Sequence, residues 1–447
     1  MARVSAPPFA DRTLHFVGIG GAGMSGLALV ATELGARVSG SDRSESSYTA
    51  RLRRHGIEAL IGHDAANVPP GAEVVVSSAI EADNLELAAA RSAGARVIHR
   101  GELLGEVARL KRAIAIGGTH GKTTTSGMVV QALQACGRDP AYLVGGELGG
   151  THTNAAWGAG EWIVVEADES DRSFLHLPRD VAVILNAELD HHATYRSLSE
   201  LREAFVDFAA PAATRIVGPG VDIAGALSFG IGSGDLRAED VRLRPLGSSF
   251  SVDGVAVELA VPGAHNVLNA LGALAACRAV GVALDEAAPG LAGFRGAGRR
   301  FEEHGRTRSG ARVFDDYAHH PTEVRATLEA ALTLRACRVV ACFQPHLYSR
   351  TRALAREFGR ALALADLVVV LDVYPARERA EDFPGVSGLT VARAAAEAAG
   401  GRPVWWLPTI EAAEKQLRPE LSDGDVLITL GAGDVDRLAA ALAEERP

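Results

Sequence analysis

Only three of the 45 lysine and arginine residues in this 447-residue chain are lysine: Lys111, Lys122 and Lys415. Lys122 sits in Gly118-Thr119-His120-Gly121-Lys122-Thr123-Thr124-Thr125, between a strand-like run and a helical one. In such a loop backbone amides cradle phosphates, the lysine ammonium reaches the β/γ oxygens, and a threonine hydroxyl meets Mg²⁺. The chemistry this predicts is ATP-phosphate binding. Ile116 stands five residues before Gly121, where the general P-loop pattern has glycine. His120 is open to two readings, a functional side chain or one that packs the loop.

Further motifs fall at the ends of apolar runs, where open parallel sheets collect their ligands. Glu166-Ala-Asp168-Glu169-Ser-Asp171 offers hard oxygens for Mg²⁺, and Glu166 is favoured because it directly follows its strand. Asn186 ends another strand, and Asp190-His191-His192 follows it. A neutral histidine there either ligates a metal or orients a carboxylate, and adjacent histidines point different ways, so one of the two serves. Gly18-Ile19-Gly20-Gly21-Ala22-Gly23 is a G-x-G-x-x-G between strand and helix, and Asp42 closes the next strand. That arrangement suits a pyrophosphate at the helix N-terminus and a carboxylate at a ribose. The ligand class stays open among NAD, FAD and a UDP-sugar. Asn266 and Asn269 open a helix and either cap it or read a base edge. Arg299-Arg300 either clamps phosphate or solvates a linker. Asp315-Asp316-Tyr317-Ala-His319-His320-Pro321 and Gln344-Pro-His346-Leu-Tyr348-Ser-Arg350 each follow a strand and face one sheet edge.

Strands alternating with helical stretches position these groups, the pattern of parallel α/β sheets. The length suits about three domains. The boundaries fall at 1–112, 113–297 and 298–447. The middle unit turns β-rich after residue 214, and Asp253-Gly254 there marks a two-residue hairpin. Pro321 is placed for a helix first turn. The chain is 47% hydrophobic and 22% charged, which excludes a mainly disordered protein. A formal charge of −10 argues against non-specific nucleic-acid binding. No apolar run is long enough to span a bilayer, and no signal-peptide pattern opens the chain. Four scattered cysteines with no CxxC pair fit the reducing cytoplasm.

Together the motifs resemble the Mur ligase family over almost the whole chain and in order. The resemblance runs from Gly18 to Gly26, through the P-loop, the Glu166–Asp171 run and His265-Asn-Val-Leu-Asn269, to Gly298-Arg-Arg-Phe-Glu302. It continues with Asp315–Glu323, Phe343-Gln-Pro-His346, Asp372-Val-Tyr-Pro-Ala-Arg-Glu378 and Gly431-Ala-Gly433. It implies an α/β chain of three domains: a Rossmann-like N-terminal domain for a UDP-sugar, a central P-loop ATPase domain and a Rossmann-like C-terminal domain for an amino acid. The implied activity is ATP-dependent joining of L-alanine to the lactyl carboxylate of UDP-N-acetylmuramate through an acyl phosphate, with Mg²⁺, or Mn²⁺ in its place. The nearest alternative is attachment of a recycled murein tripeptide to the same UDP-sugar. A nicotinamide-dependent dehydrogenase would leave the P-loop unexplained, and a non-catalytic nucleotide-gated binder would release no phosphate.

By family role, Lys122 and Arg300 hold phosphates, and Thr123, Glu166 and His191 hold or position metal. Lys122, Glu166, His191 and Arg300 form the catalytic set. Gly118, Thr119, His120, Gly121, Thr124, Asn266, Asn269 and Asp316 complete the ATP site. Gly18, Gly20, Gly21, Ala22, Gly23, Met24, Ser25, Asp42 and Ser78 are the expected UDP-sugar contacts, and His319, His346 and Arg350 the amino-acid side. The family usually carries methionine or leucine after its metal-site histidine, where this chain has His192. Sister ligases bridge to magnesium with a carbamylated lysine, which no lysine between Lys122 and Lys415 can supply. Monomer and homodimer both remain open, and no membrane insertion is expected.

Overall fold

The computed structural model describes residues 6–151, 153–191 and 194–443. Three sheets follow one another along the chain. The first has five strands, all parallel, in the spatial order Glu58–Ile61, Arg37–Asp42, Thr13–Val17, Glu73–Val76, Val97–His99. The strand order reverses beside Thr13–Val17, so the turn that leaves it opens into the crevice where such sheets bind ligands. Helix Ala22–Glu33 starts there.

The second sheet has ten strands. Its parallel centre carries Arg112–Gly117 between Trp162–Glu166 and Val181–Ile184, which brings the P-loop, the acidic run and the Asn186 loop to one edge. Each of these three strands is apolar at nearly every position, as burial on both faces requires. The β-rich extension ends in the antiparallel pair Gly247–Val252 and Val255–Leu259. Asp253 and Gly254 join them with φ of 48° and 80°, the left-handed pair a tight hairpin turn needs. Two of its strands were not read from the sequence. Ala141–Leu148 and Thr153–Ala156 form an antiparallel hairpin at the other edge of the sheet.

The third sheet has six strands, five of them parallel, with Arg312–Asp316 and Arg338–Phe343 flanking Asp425–Leu430. Its antiparallel edge strand, Glu302–Arg306, follows directly on the Arg299-Arg300 linker and was not expected from the sequence. The helix that Asn266 and Asn269 open runs Ala264–Ala279. Pro321 occupies the first position of helix Pro321–Leu332. Among the described residues, no helix is long and apolar enough to cross a membrane.

Candidate active site

Two helices start without a side-chain cap at places where a cap would block an anion. Helix Ala22–Glu33 follows Gly21, and helix Lys122–Ala135 follows Gly121, neither with a side chain bonded to the first turn. Ser46, Asn84, Ser197 and Thr409 cap their helices, while the helices after Gly263, Ala283 and Leu347 also start uncapped. The uncapped amides keep their hydrogen-bonding capacity for a phosphate. Gly121 has φ of 84°, and a β-carbon there would strike the side-chain amide of Asn269. Asn269 in turn donates to Asn266 Oδ1 at 3.1 Å, and Asn266 donates to the Pro262 carbonyl at 2.7 Å. The helix that carries both asparagines therefore packs directly on the phosphate loop.

Lys122 folds over that loop. Its ammonium donates to the carbonyl of Gly118 at 2.7 Å and to Glu169 Oε2 at 2.8 Å. Burial opposes the charge, but Glu169 and Asp168 outweigh it and hold the lysine above its ordinary value. Glu169 is fully buried, and its other oxygen lies 3.4 Å from His191 Nε2. Its backbone carbonyl accepts from the buried Tyr195 hydroxyl at 2.8 Å. Reading the sequence favoured Glu166 in this acidic run and missed Glu169 as the lysine's partner.

Glu166, at the end of its strand, accepts from the Gly145 amide at 2.6 Å and from the Thr123 hydroxyl at 3.3 Å. Burial raises its carboxyl, a condition that a divalent cation would relieve. A threonine hydroxyl and a carboxylate side by side are the hard oxygen donors Mg²⁺ selects, so the two residues fit that ion. His191 borders the same cavity with φ of 53°. His192 lies outside the described residues.

The cavity measures about 930 Å³ and is walled by all three sheet units. Ala22, Gly23 and Tyr48 come from the first, Lys122, Thr123 and Glu166 from the second, and Arg300, Tyr317 and His319 from the third. The first unit is tied to it by Arg100, which donates to Asp168 at 2.7 Å. Although burial opposes ionisation, Arg100 and Lys122 keep the Asp168 carboxyl well below the usual range. A second cavity of about 300 Å³ adjoins it and shares Gly121, Arg300 and Glu323. It combines apolar walls, among them Phe229, Val261 and Leu268, with Asn266, Asn269 and Asp316. An apolar slot with a few polar groups beside a phosphate loop suits a purine and its ribose. Burial raises the Asp316 carboxyl to about 6. Its two oxygens accept from the Phe301 and Ala318 amides, each at 2.8 Å.

Not every expected residue reaches a cavity wall. Gly18 and Gly20 shape their turn, with Gly18 at φ of 81° and the Gly20 amide donating to Asp42 at 2.9 Å. Gly21 supplies the helix start. Met24 and Ser25 are buried behind it, and the Ser25 hydroxyl donates to the Ala22 carbonyl at 3.0 Å. Asp42 thus braces the loop, and Ser78 lies in the loop after Glu73–Val76, off both walls. On the amino-acid side, His319 borders the large cavity, while His346 stacks on Tyr374 and Arg350 is fully engaged. Arg350 makes a two-pronged contact with Asp190, at 3.0 Å from Nε and 2.9 Å from Nη2. Arg299 and Arg300 both border the large cavity, but Arg299 is bound to Asp315 and to the carbonyls of Gly431 and Gly433, and Arg300 is the one of the two that also borders the smaller cavity.

Comparison with known proteins follows the same division. The profile described as Mur ligase family, catalytic domain, matches residues 13–112. The Mur ligase middle domain matches 116–277, and the Mur ligase glutamate ligase domain matches 299–433. The UDP-N-acetylmuramate–L-alanine ligase of Acidithiobacillus ferrooxidans is 46% identical, covering 96% of this chain and 97% of its own. The enzyme of that name from Mycolicibacterium smegmatis is 44% identical, covering 100% and 97%. Among solved structures, the UDP-N-acetylmuramate–alanine ligase MurC of Thermotoga maritima superposes with a TM-score of 0.83 at 30% identity, over 96% of this chain and 97% of that one. A murein peptide ligase from Psychrobacter arcticus shares the fold, with a TM-score of 0.74 at 24% identity, over 98% and 100%.

Proposed function

This chain belongs to the Mur ligase family, and on that premise we propose that it is an ATP-dependent ligase joining L-alanine to the lactyl carboxylate of UDP-N-acetylmuramate. The products are UDP-N-acetylmuramoyl-L-alanine, ADP and phosphate, a step in making peptidoglycan precursor. The observation that carries the reading is one cavity onto which the phosphate loop, the strand-end carboxylate Glu166 and the glycine-loop helix all open. The choice of L-alanine rests on near-full-length similarity to ligases named for it. Four free cysteines suit the cytoplasm as its compartment.

A carboxylate is a poor acyl donor because amide formation would have to expel oxide. The γ-phosphoryl group of ATP passes to the lactyl carboxylate and leaves ADP. The amine of L-alanine then attacks the acyl carbon, loses a proton, and the tetrahedral intermediate expels inorganic phosphate. Little covalent chemistry is asked of the side chains; they position groups and neutralise charge. Lys122 holds the β/γ oxygens and exchanges its contact with Glu169 for them. Arg300 meets the transferring group from the other side. Asn266, Asn269 and Asp316 seat the nucleoside, and Ala22 and Gly23 present the helix N-terminus to the UDP-sugar diphosphate. Thr123 and Glu166 would hold Mg²⁺, with His191 beside them, and the ion supplies charge neutralisation on the phosphates when bound. Enclosure between three domains keeps water from the acyl phosphate.

The test is phosphate release from Mg-ATP and UDP-N-acetylmuramate with L-alanine or with L-Ala-γ-D-Glu-meso-diaminopimelate. Release and ligated mass with L-alanine support the reading, whereas release with tripeptide alone overturns it. Lys122→Ala lowers turnover by at least about a thousandfold while UDP-sugar binding persists. Near wild-type ligation by that variant would remove the lysine from the phosphate site.

A further inference from the structure

His120 lies inside the phosphate loop, yet its ring does not face the large cavity. Its backbone is pinned on both sides by Asn186. The His120 amide donates to Asn186 Oδ1 at 2.9 Å, and Asn186 Nδ2 donates to the His120 carbonyl at 3.0 Å. His120 borders the smaller cavity, where its imidazole meets two carboxylates. Nδ1 lies 3.2 Å from Glu323 Oε1, and Nε2 lies 3.2 Å from Glu188 Oε2. Two carboxylates on one ring leave it no nitrogen for a phosphate and a surrounding that repels one.

Glu188 belongs to the central domain, but Glu323 stands in the first turn of the C-terminal helix Pro321–Leu332. Glu323 Oε2 also accepts from the His319 amide at 3.0 Å and the His320 amide at 3.3 Å. The next residue, Thr322, donates its hydroxyl to Glu188 at 2.6 Å. The His320 ring packs 4.7 Å from the His120 ring. Its Nδ1 accepts from the Thr322 amide at 3.4 Å, so it is the neutral member of the pair. The other facing charge is Arg300, 3.9 Å from Glu323.

We infer that His120 is a positioning residue that fastens the phosphate loop to the C-terminal domain through Glu323, so that the loop is set for transfer when that domain is docked. This rests on the reading that the loop binds ATP phosphates. It makes phosphoryl transfer wait for the domain that carries the amino-acid side, which limits loss of the acyl phosphate to water. No bond to nucleotide is assigned to the imidazole.

The test uses the full chain with His120→Gln, Glu323→Gln and the double substitution. Glutamine keeps the capping geometry at position 323 and removes only the charge. Each single change lowers kcat about tenfold and leaves the ATP Kd within about twofold, and the double change is no more than about threefold worse than either, because one contact is lost in all three. Phosphate released per amide formed rises above one in each variant. Small-angle scattering with ATP shows a compact wild type and more extended variants. A tenfold weaker ATP Kd in His120→Gln beside an unchanged Glu323→Gln would put the ring on the nucleotide and overturn the inference. Additive effects, or none, would do the same. Should Glu323→Gln fail to fold, His120→Asn, whose shorter side chain falls short of Glu323, cuts the same contact from the loop side and takes its place. Scattering and ATP affinity need no amino acid, so failure to ligate L-alanine would strike the functional reading and leave this one decided separately.

Discussion

The central domain meets its two neighbours through seams of opposite character. On the N-terminal side a single hydrophobic core crosses the boundary, from Phe9, Leu103 and Val107 to Phe174, Phe205 and Phe208. Glycines let the backbones close up there: a β-carbon on Gly101 would meet Ser173, and one on Gly26 would meet Asn154 and Ala155. Arg51 then reaches across to Asn154 and Glu147. On the C-terminal side the apolar clusters stay within their own domain, and the contacts that cross are charged or polar. They include Arg350 on Asp190, His120 on Glu323, Thr322 on Glu188 and the His320 ring beside His120. An apolar seam is non-directional and costs its whole buried area to open. A seam of ion pairs can exchange its partners for water and substrate charges. Under the proposed function, the first seam would make the UDP-sugar side a fixed wall and the second would leave the amino-acid side free to undock.

The sharpest way to break this contrast is Arg350→Ala. Both partners of the pair are 4% exposed, so the substitution strands the Asp190 charge. Stranding a buried charge costs about 3–5 kcal/mol, which here falls on docking and lowers kcat by about a hundredfold to a thousandfold. The melting transition of the shared N-terminal and central core stays where it was in calorimetry. If that transition falls instead, the two seams are not independent.

Leu103→Ala makes the opposite cut. Leu103 is fully buried in the shared core, and the loss is about 2–5 kcal/mol of global stability in urea unfolding. Turnover per folded molecule changes by less than about threefold, since no docking contact is touched. A selective loss of kcat without loss of stability would contradict the fixed-wall reading.

A smaller effect is set by pH. Burial disfavours the His120 charge, but Glu188 and Glu323 outweigh it and raise the ring from 6.5 to about 9. Docking adds Glu323 to a ring that already faces Glu188, so the charged ring favours the docked state and this share is lost as pH climbs through about 9. Burial holds His319 and His320 near 4, so both stay neutral across that window. Scattering against pH shows the loss in wild type and not in His120→Gln. The N-terminal seam shows no such alkaline step. Asp42→Asn is the mildest change. It weakens the brace on the Gly20 amide while an amide oxygen still accepts, raising the UDP-sugar KM about twofold to threefold.

Much of the site was legible because it is local. Strand, glycine turn and helix N-terminus are adjacent in sequence at Gly18–Gly23 and at Gly118–Lys122, so spacing alone identifies them. The scarcity of lysine singled out Lys122, and Pro321 and Asp253-Gly254 carry their backbone angles in their own chemistry. Strand Glu302–Arg306 was missed because Glu-Glu-His-Gly-Arg has no apolar alternation; its partner strand, not its side chains, makes it a strand. Val404–Trp406 was missed for its shortness, three residues on a sheet edge. Glu169 and Glu323 stood in motifs already singled out, yet nothing in the order of residues says which carboxylate meets Lys122 and which meets His120.

The residues by themselves determined the three α/β units, the two glycine turns that open helices and the membership that their order implies. These depend on short-range backbone geometry and on periodic burial, which the chain carries at every point. Only the tertiary structure decided that Glu169 holds Lys122, that Asp190 occupies Arg350, and that one domain boundary is sealed by carbon and the other by charge. Those pairings span up to 203 residues of sequence, as from His120 to Glu323. A charge has no preferred partner until folding sets the distance and removes the water between them.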